Sequence, residues 1–229
     1  MEPSAPVPAR LGAVKAAVFV LCLLPLAWLA VLGVTGGLGD EPVDRLQHAL
    51  GSWTLNLLLL TLAVTPLRRL TGWHWLGRLR RMLGLFVFFY ACLHVLNWLA
   101  LDHAFDPGAI ARDLAKRPWI VVGFAAFMLL IPLAATSNNA MVRRLGGRRW
   151  QDLHRSIYVV AILGVAHYWW GAEKGVTAPA LYAVALMALL GLRLLWREQE
   201  RRRQLAGGYG KPAASRPGVS VIRFMPKRK

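Results

Sequence analysis

The chain of 229 residues is 56% apolar and carries 28 Lys and Arg against 11 Asp and Glu, a formal charge of +17. A soluble bundle is excluded because stretches such as "NLLLLTLAV" and "ALYAVALMALLGLRLLW" have no polar face to turn to water. A nucleic-acid partner is disfavoured too: the positive excess sits in three loops and a tail between apolar stretches, where topology and an anionic leaflet account for it.

Six apolar stretches follow one another, at 16–35, 53–67, 82–101, 118–136, 155–171 and 178–196. A helix needs roughly 20 residues to cross a hydrocarbon core of ~30 Å, so 53–67 and 155–171 require flanking residues to complete a crossing. The first stretch follows Arg10 and Lys15, and its twenty residues exceed the apolar core of a signal peptide, so it is read as a retained helix. Asp40, Glu41, Asp44 and Arg45 come next, with His48 in "RLQHALGSW" read as packing at the interface. Arg68, Arg69, Arg78, Arg80 and Arg81 separate the second stretch from the third; His74 lies among them in a loop and is read as solvated.

After the third stretch come Asp102, Asp106, Arg112, Asp113, Lys116 and Arg117, with His103 read as a solvated loop residue. Arg143, Arg144, Arg148 and Arg149 precede the fifth, and Glu173 and Lys174 precede the sixth. Arg-rich loops stay in the cytoplasm, which puts the mixed or acidic loops outside and both termini inside. Residues 193–229 add eleven Lys or Arg to the cytoplasmic side. Trp98, Tyr168, Trp169 and Trp170 are read as an outer aromatic belt. The pattern predicts an all-α polytopic membrane bundle of six transmembrane helices over 16–196. It lies between a cytoplasmic N-terminus (1–15) and a basic tail (197–229), which is rich in Gly, Pro and Ser and read as disordered.

Two histidines are expensive where they stand. His94 in "FYACLHVLNW" and His167 in "AILGVAHYWW" lie inside separate spans, where an imidazole needs a partner. His94 precedes Asp102 by eight residues and His167 precedes Glu173 by six, roughly 12 and 9 Å along a helix, so both lie at one level in the outer half of the membrane. Matched depth points to a shared ligand, most economically a haem iron between two axial imidazoles; for either histidine alone, polar helix packing is the alternative. Cys22 and Cys92 are solitary and no C-x-x-C-H occurs, so any haem is non-covalent, haem b.

His154 follows Arg149 by five residues, at the cytoplasmic mouth of the fifth span, and belongs to another layer. It stands thirteen residues from His167, a rise of about 19.5 Å, enough for a second haem, but on a straight helix the two side chains diverge by about 140°. The third span offers Arg80 and Arg81, not a histidine, at the matching depth. A second haem site is therefore supported only in part, and helix capping or headgroup binding stays open for His154.

The runs "PVDRLQHALGSWTLNLLLLTLAVTPLRR", "RLRRMLGLFVFFYACLHVLNW" and "TSNNAMVRRLGGRRWQDLHRSIYVVAILGVAHYWW", in this order over about residues 10–200, resemble the MsrQ family (formerly YedZ). These are haem-binding membrane subunits of bacterial MsrPQ systems, within the ferric-reductase-like transmembrane group. The resemblance implies a cytochrome of the bacterial inner membrane that passes electrons to MsrP, a periplasmic molybdenum-cofactor enzyme reducing methionine sulfoxide in oxidised proteins. It implies supply from the quinone pool, or from a cytoplasmic flavin reductase through FMN. By position, its haem histidines fall on His94, His154 and His167. The nucleotide-binding domain that NADPH oxidases append is missing, so hydride is not taken from a nicotinamide directly.

Arg80, Arg81, Arg149 and Trp150, with His154, make a basic, aromatic inner surface suited to a flavin phosphate or quinone headgroup, although the positive-inside bias explains the arginines without a ligand. Two other classes stay in play. One is a ferric reductase or quinol-linked cytochrome b without a dedicated partner; the other is a non-redox transporter or scaffold. Against transport, the spans hold almost no acidic residues, and Pro25, Pro66 and Pro132 break no matched pair of helices.

Overall fold

The computed structural model describes residues 11–172 and 175–209, which fall into two compact units, one ending at Leu189 and the other beginning at Leu190. Among the described residues there are helices and no strands. Arg10, Glu173, Lys174 and residues 210–229, which anchor parts of the topology and depth readings, lie outside them.

The first helix, α1 (Leu11–Val34), leaves most of its apolar surface exposed, with Leu21 and Trp28 among the outward residues. α2 (Pro42–Thr71) is far longer than the apolar stretch inside it. Pro42 occupies the first turn, where no amide partner is needed, Arg68 and Arg69 face the negative end of the helix dipole, and Gly72 ends it in the left-handed region at φ 72°. A short 3-10 turn (His74–Arg78) leads into α3 (Arg80–Asn97), which continues as one π-helical turn over Trp98–Asp102.

The loop beyond holds α4 (Pro107–Lys116), capped by the Asp106 carboxylate, which accepts from the Gly108 amide at 2.9 Å. α5 (Pro118–Ala135) follows, then two short helices, α6 (Asn139–Leu145) and α7 (Gly147–His154), then α8 (Ile157–Trp170) and α9 (Thr177–Tyr209).

Among the described residues, five helical segments are long and apolar enough to cross a membrane: Leu11–Val34, Pro42–Thr71, Arg80–Asp102, Pro118–Ala135 and Thr177–Leu205. The expected fifth span differs. Over 155–171 the chain forms only the 14-residue α8, about 21 Å long, and His154 is not on the same helix as His167. The break has a local cause: both the amide (3.1 Å) and the hydroxyl (2.7 Å) of Ser156 donate to the Leu153 carbonyl, which a continuing α-helix would need.

The chain is also helical past residue 196, as far as Tyr209, where a disordered tail was expected from 197. Glu198 pairs with Arg202 (3.0 Å) and Arg201 (3.8 Å), the helical spacing that supports such a segment before the Gly and Pro residues begin.

The closest packing is of α2 on α3 and of α5 on α8. Leu58, Leu62, Leu83, Val87, Val160 and Ala161 are at most 2% exposed and form the dry centre of these layers. Tyr90, fully buried on α3, donates to the Cys22 carbonyl of α1 at 2.7 Å, and the stacked rings of Phe88 and Phe127 (5.9 Å) bring α3 against α5. The remaining apolar surface faces outward, as it does where the surrounding solvent is lipid.

Candidate functional site

Packing α2 on α3 and α5 on α8 carries His94 and His167 toward each other. Their ring centroids lie 6.2 Å apart with the planes at 78°. Each ring is tied to the helix beside it: His94 Nδ1 lies 3.0 Å from the Gln47 carbonyl and His167 Nδ1 lies 2.7 Å from the Trp119 carbonyl. A carbonyl only accepts, so both Nδ1 atoms carry the proton and both Nε2 atoms keep a lone pair. Metal-binding histidines use this arrangement, with the outer nitrogen anchored and the inner one left to ligate.

The separation fits as well. Two imidazoles facing each other across one metal, with bonds of about 2.0–2.1 Å, put their centroids roughly 6.3 Å apart.

Two glycines make the approach possible. A Cβ on Gly51 would stand 3.0 Å from His94 Cε1, and one on Gly123 would stand 2.7 Å from His167 Nδ1 and 2.9 Å from its Cγ. The second is an overlap with the body of the ring, so His167 lies flat against the backbone of α5 only because residue 123 has no side chain. A polar pair completes the His94 side: Asn97, 6% exposed, donates to Gln47 Oε1 (2.8 Å) and to the Val43 carbonyl (3.2 Å). Gln47 Nε2 is thereby aimed at His94 Nε2, at 3.4 Å.

Sequence reasoning missed Gln47, Gly51, Asn97, Trp119 and Gly123. The two glycines did leave a signal, since a lone glycine inside an apolar helix costs about 1 kcal/mol against alanine and calls for a packing reason.

His154 forms a separate cluster. Its Nδ1–H donates to the Trp150 carbonyl at 3.0 Å, and the Trp150 ring stacks on it at 3.8 Å. Ser137 Oγ stands 3.4 Å from Nε2 and gives its own proton to the Leu133 carbonyl at 2.7 Å. Burial pushes the His154 pKa down, the Trp150 carbonyl opposes this, and the charge of Arg80 pushes it further down. Arg81 donates through Nε to the Ser137 carbonyl and through a terminal nitrogen to Asn139 Oδ1 (2.9 Å), and Trp150 Nε1 donates to the Thr136 carbonyl (2.9 Å). The structure thus brings Arg80, Arg81 and Trp150 to His154. Arg149, next to Trp150 in the chain, is exposed.

His103 and Trp98 depart from expectation. The His103 side chain is 9% exposed instead of solvated, because the π-helical turn folds it under α4 against Trp98 (4.8 Å) and between Asp102 and Asp113. Trp98 is buried, donating to Asp113 Oδ2 at 3.1 Å, and so takes no place in an exposed aromatic belt. Trp169 and Trp170 are exposed, while Tyr168 packs on Tyr182 at 5.5 Å. His48 is exposed and pairs with Asp44 at 3.2 Å; His74 is exposed.

A family model described as "Ferric reductase like transmembrane component" matches residues 50–165, from within α2 to within α8. A protein of Ralstonia nicotianae named "Protein-methionine-sulfoxide reductase heme-binding subunit MsrQ" is 54% identical over 91% of this chain and 97% of its own length. Proteins of the same name from Herminiimonas arsenicoxydans (49% identical; 88% of this chain, 93% of theirs) and Rhodospirillum rubrum (50%; 84% and 92%) are similar throughout.

Proposed function

The chain belongs to the MsrQ family of protein-methionine-sulfoxide reductase heme-binding subunits, within the ferric-reductase-like transmembrane proteins, and from that premise we propose that it is a b-type cytochrome of the bacterial inner membrane. Its task in this reading is to carry electrons outward to a periplasmic molybdenum-cofactor partner, MsrP, which reduces methionine sulfoxide in oxidised proteins. The observation that carries the proposal is the His94–His167 pair: 6.2 Å between rings, each Nδ1–H held on a backbone carbonyl.

A bound haem supplies a one-electron carrier; the chain's part is to hold and insulate it. His94 and His167 would hold the group through their Nε2 lone pairs, and a haem held by two imidazoles would supply electron transfer rather than oxygen chemistry. The Gln47 and Trp119 carbonyls fix the tautomers, and Gly51 and Gly123 let the rings lie against their helices.

In this proposal α8 is the fifth of six crossings of a domain spanning 16–196, with both termini cytoplasmic. The break at Arg155–Ser156 releases His154 from the azimuth of a straight helix, which favours its serving a second, inner site. Arg80, Arg81, Arg149 and Trp150 would receive the phosphate of FMN or a quinone headgroup beside it. The donor is then either the quinone pool or a cytoplasmic flavin reductase.

Purified protein should show b-type bands in a reduced-minus-oxidised spectrum, be reduced by quinol or reduced flavin, and pass electrons to co-purified molybdoenzyme. Absence of b-type bands would sink the redox reading. Bands without any molybdoenzyme coupling would favour a ferric reductase or quinol-linked cytochrome instead.

A further inference from the structure

We propose that Gln47, held in place by Asn97, gives a side-chain N–H to a carboxylate of the haem and so fixes one edge of the group that His94 and His167 hold. The proposal rests on the haem reading of that pair and adds to it a contact that the axial positions do not supply.

The orientation of the Gln47 amide follows from forced assignments. The Val43 carbonyl can only accept, so the Asn97 atom 3.2 Å from it is the side-chain nitrogen. That nitrogen also stands 2.8 Å from the Gln47 side chain, where its second hydrogen needs an acceptor, so Gln47 presents Oε1 to Asn97. Gln47 Nε2 is then the atom that faces His94, 3.4 Å from its Nε2. The Gln47 backbone carbonyl already takes the His94 Nδ1 proton at 3.0 Å, so one residue stands at both nitrogens of the ring.

Two roles compete for this amide. As a tie between α2 and α3 it is complete once Oε1 has accepted from the buried Asn97. The N–H side of the group adds nothing to that tie, because it is turned to the nitrogen that would ligate. A ligating nitrogen has no lone pair left to accept with, and a half-buried donor without an acceptor is costly. A haem brings the missing acceptor: its charged groups are two carboxylates on one edge, the edge that belongs nearest water. Gln47 lies five residues into α2 from Pro42, about 7.5 Å from that end of the helix, which suits it to meet them. The charged side chains of the same turn are engaged farther out, Asp44 with His48 at 3.2 Å and Arg45 over Gly39. A neutral amide on an ionised oxygen makes a charge-assisted hydrogen bond without taking a second charge out of water.

The test follows haem release to an excess of scavenging apoglobin, using the full-length protein in detergent loaded with haem or with haem dimethyl ester, whose carboxylates are blocked. Gln47→Leu should release haem about 10-fold faster than the parent, the worth of one hydrogen bond to a charged group, and the ester at the parental rate. Gln47→Glu keeps an oxygen for Asn97 and sets a carboxylate where the N–H stood. It should release haem at least as fast as Gln47→Leu, again with no acceleration for the ester. The bis-imidazole low-spin signal should persist in both variants, since neither ligand is touched. Equal acceleration with haem and ester would assign Gln47 to helix packing and overturn the proposal, as would parental haem release from Gln47→Glu. A parent protein that holds no haem would instead overturn the cytochrome reading on which the proposal stands.

Discussion

Replacing Gly123 by alanine sets helix propensity against the site. By propensity alone the change stabilises α5 by about 1 kcal/mol. The added Cβ, however, falls 2.7, 2.8 and 2.9 Å from three atoms of the His167 ring, whereas carbon atoms in contact stay about 3.5 Å apart. The ring must therefore retreat from α5 by about 0.7 Å. Trp119 lies one turn earlier on the same helix, so the retreat stretches its 2.7 Å hydrogen bond to about 3.4 Å, past the useful range.

Losing that bond costs about 1 kcal/mol and the overpacking about 1–3 kcal/mol, which together exceed the helical gain. Gly84→Ala, in α3 with nothing within 4 Å of its new Cβ, takes the gain without the penalty. The two variants are compared by haem content per chain, by the low-spin electron paramagnetic resonance signal and by the thermal midpoint of haem absorbance. Gly123→Ala should lose haem and midpoint while Gly84→Ala keeps both. A Gly123→Ala protein with parental haem content, signal and midpoint would refute the placement of His167 against α5.

The other expectations concern the same site. His94→Ala and His167→Ala should each remove the bis-imidazole low-spin signal, and its survival in either variant would mean that the pairing is wrong. His154→Ala should leave that signal intact and slow reduction by quinol or reduced flavin in stopped-flow spectra; loss of the signal instead would show that His154 is not in a separate layer. Asn97→Leu unpairs Gln47 Oε1 and the Val43 carbonyl between α2 and α3, and should lower stability by about 1–3 kcal/mol in thermal melts, with haem still bound. An unchanged midpoint would show that this polar bridge contributes nothing.

Much of the fold was legible because a membrane imposes a coarse, strong signal: long apolar runs, and arginines gathered between alternate runs. The histidines stood out for the same reason, as costly groups in hydrocarbon. Smaller energies decided what was not legible. The end of α7 at His154 hangs on a serine hydroxyl and amide converging on one carbonyl. The burial of His103 depends on a π-helical turn and on a helix that begins after the loop. The extension of α9 rests on i,i+3 and i,i+4 charge pairs too weak to stand out in a basic tail.

The sequence by itself determined which segments are apolar enough to leave water, which charges punctuate them, and which two imidazoles are stranded among apolar residues. Only the tertiary structure decided that those imidazoles stand 6.2 Å apart, that both are anchored through Nδ1 on a backbone carbonyl, and that Gly51 and Gly123 admit them. Burial is a property of residue type and can be read along one chain. The direction of a lone pair is set by a carbonyl 47 or 48 residues away, and exists only once two pairs of helices have packed.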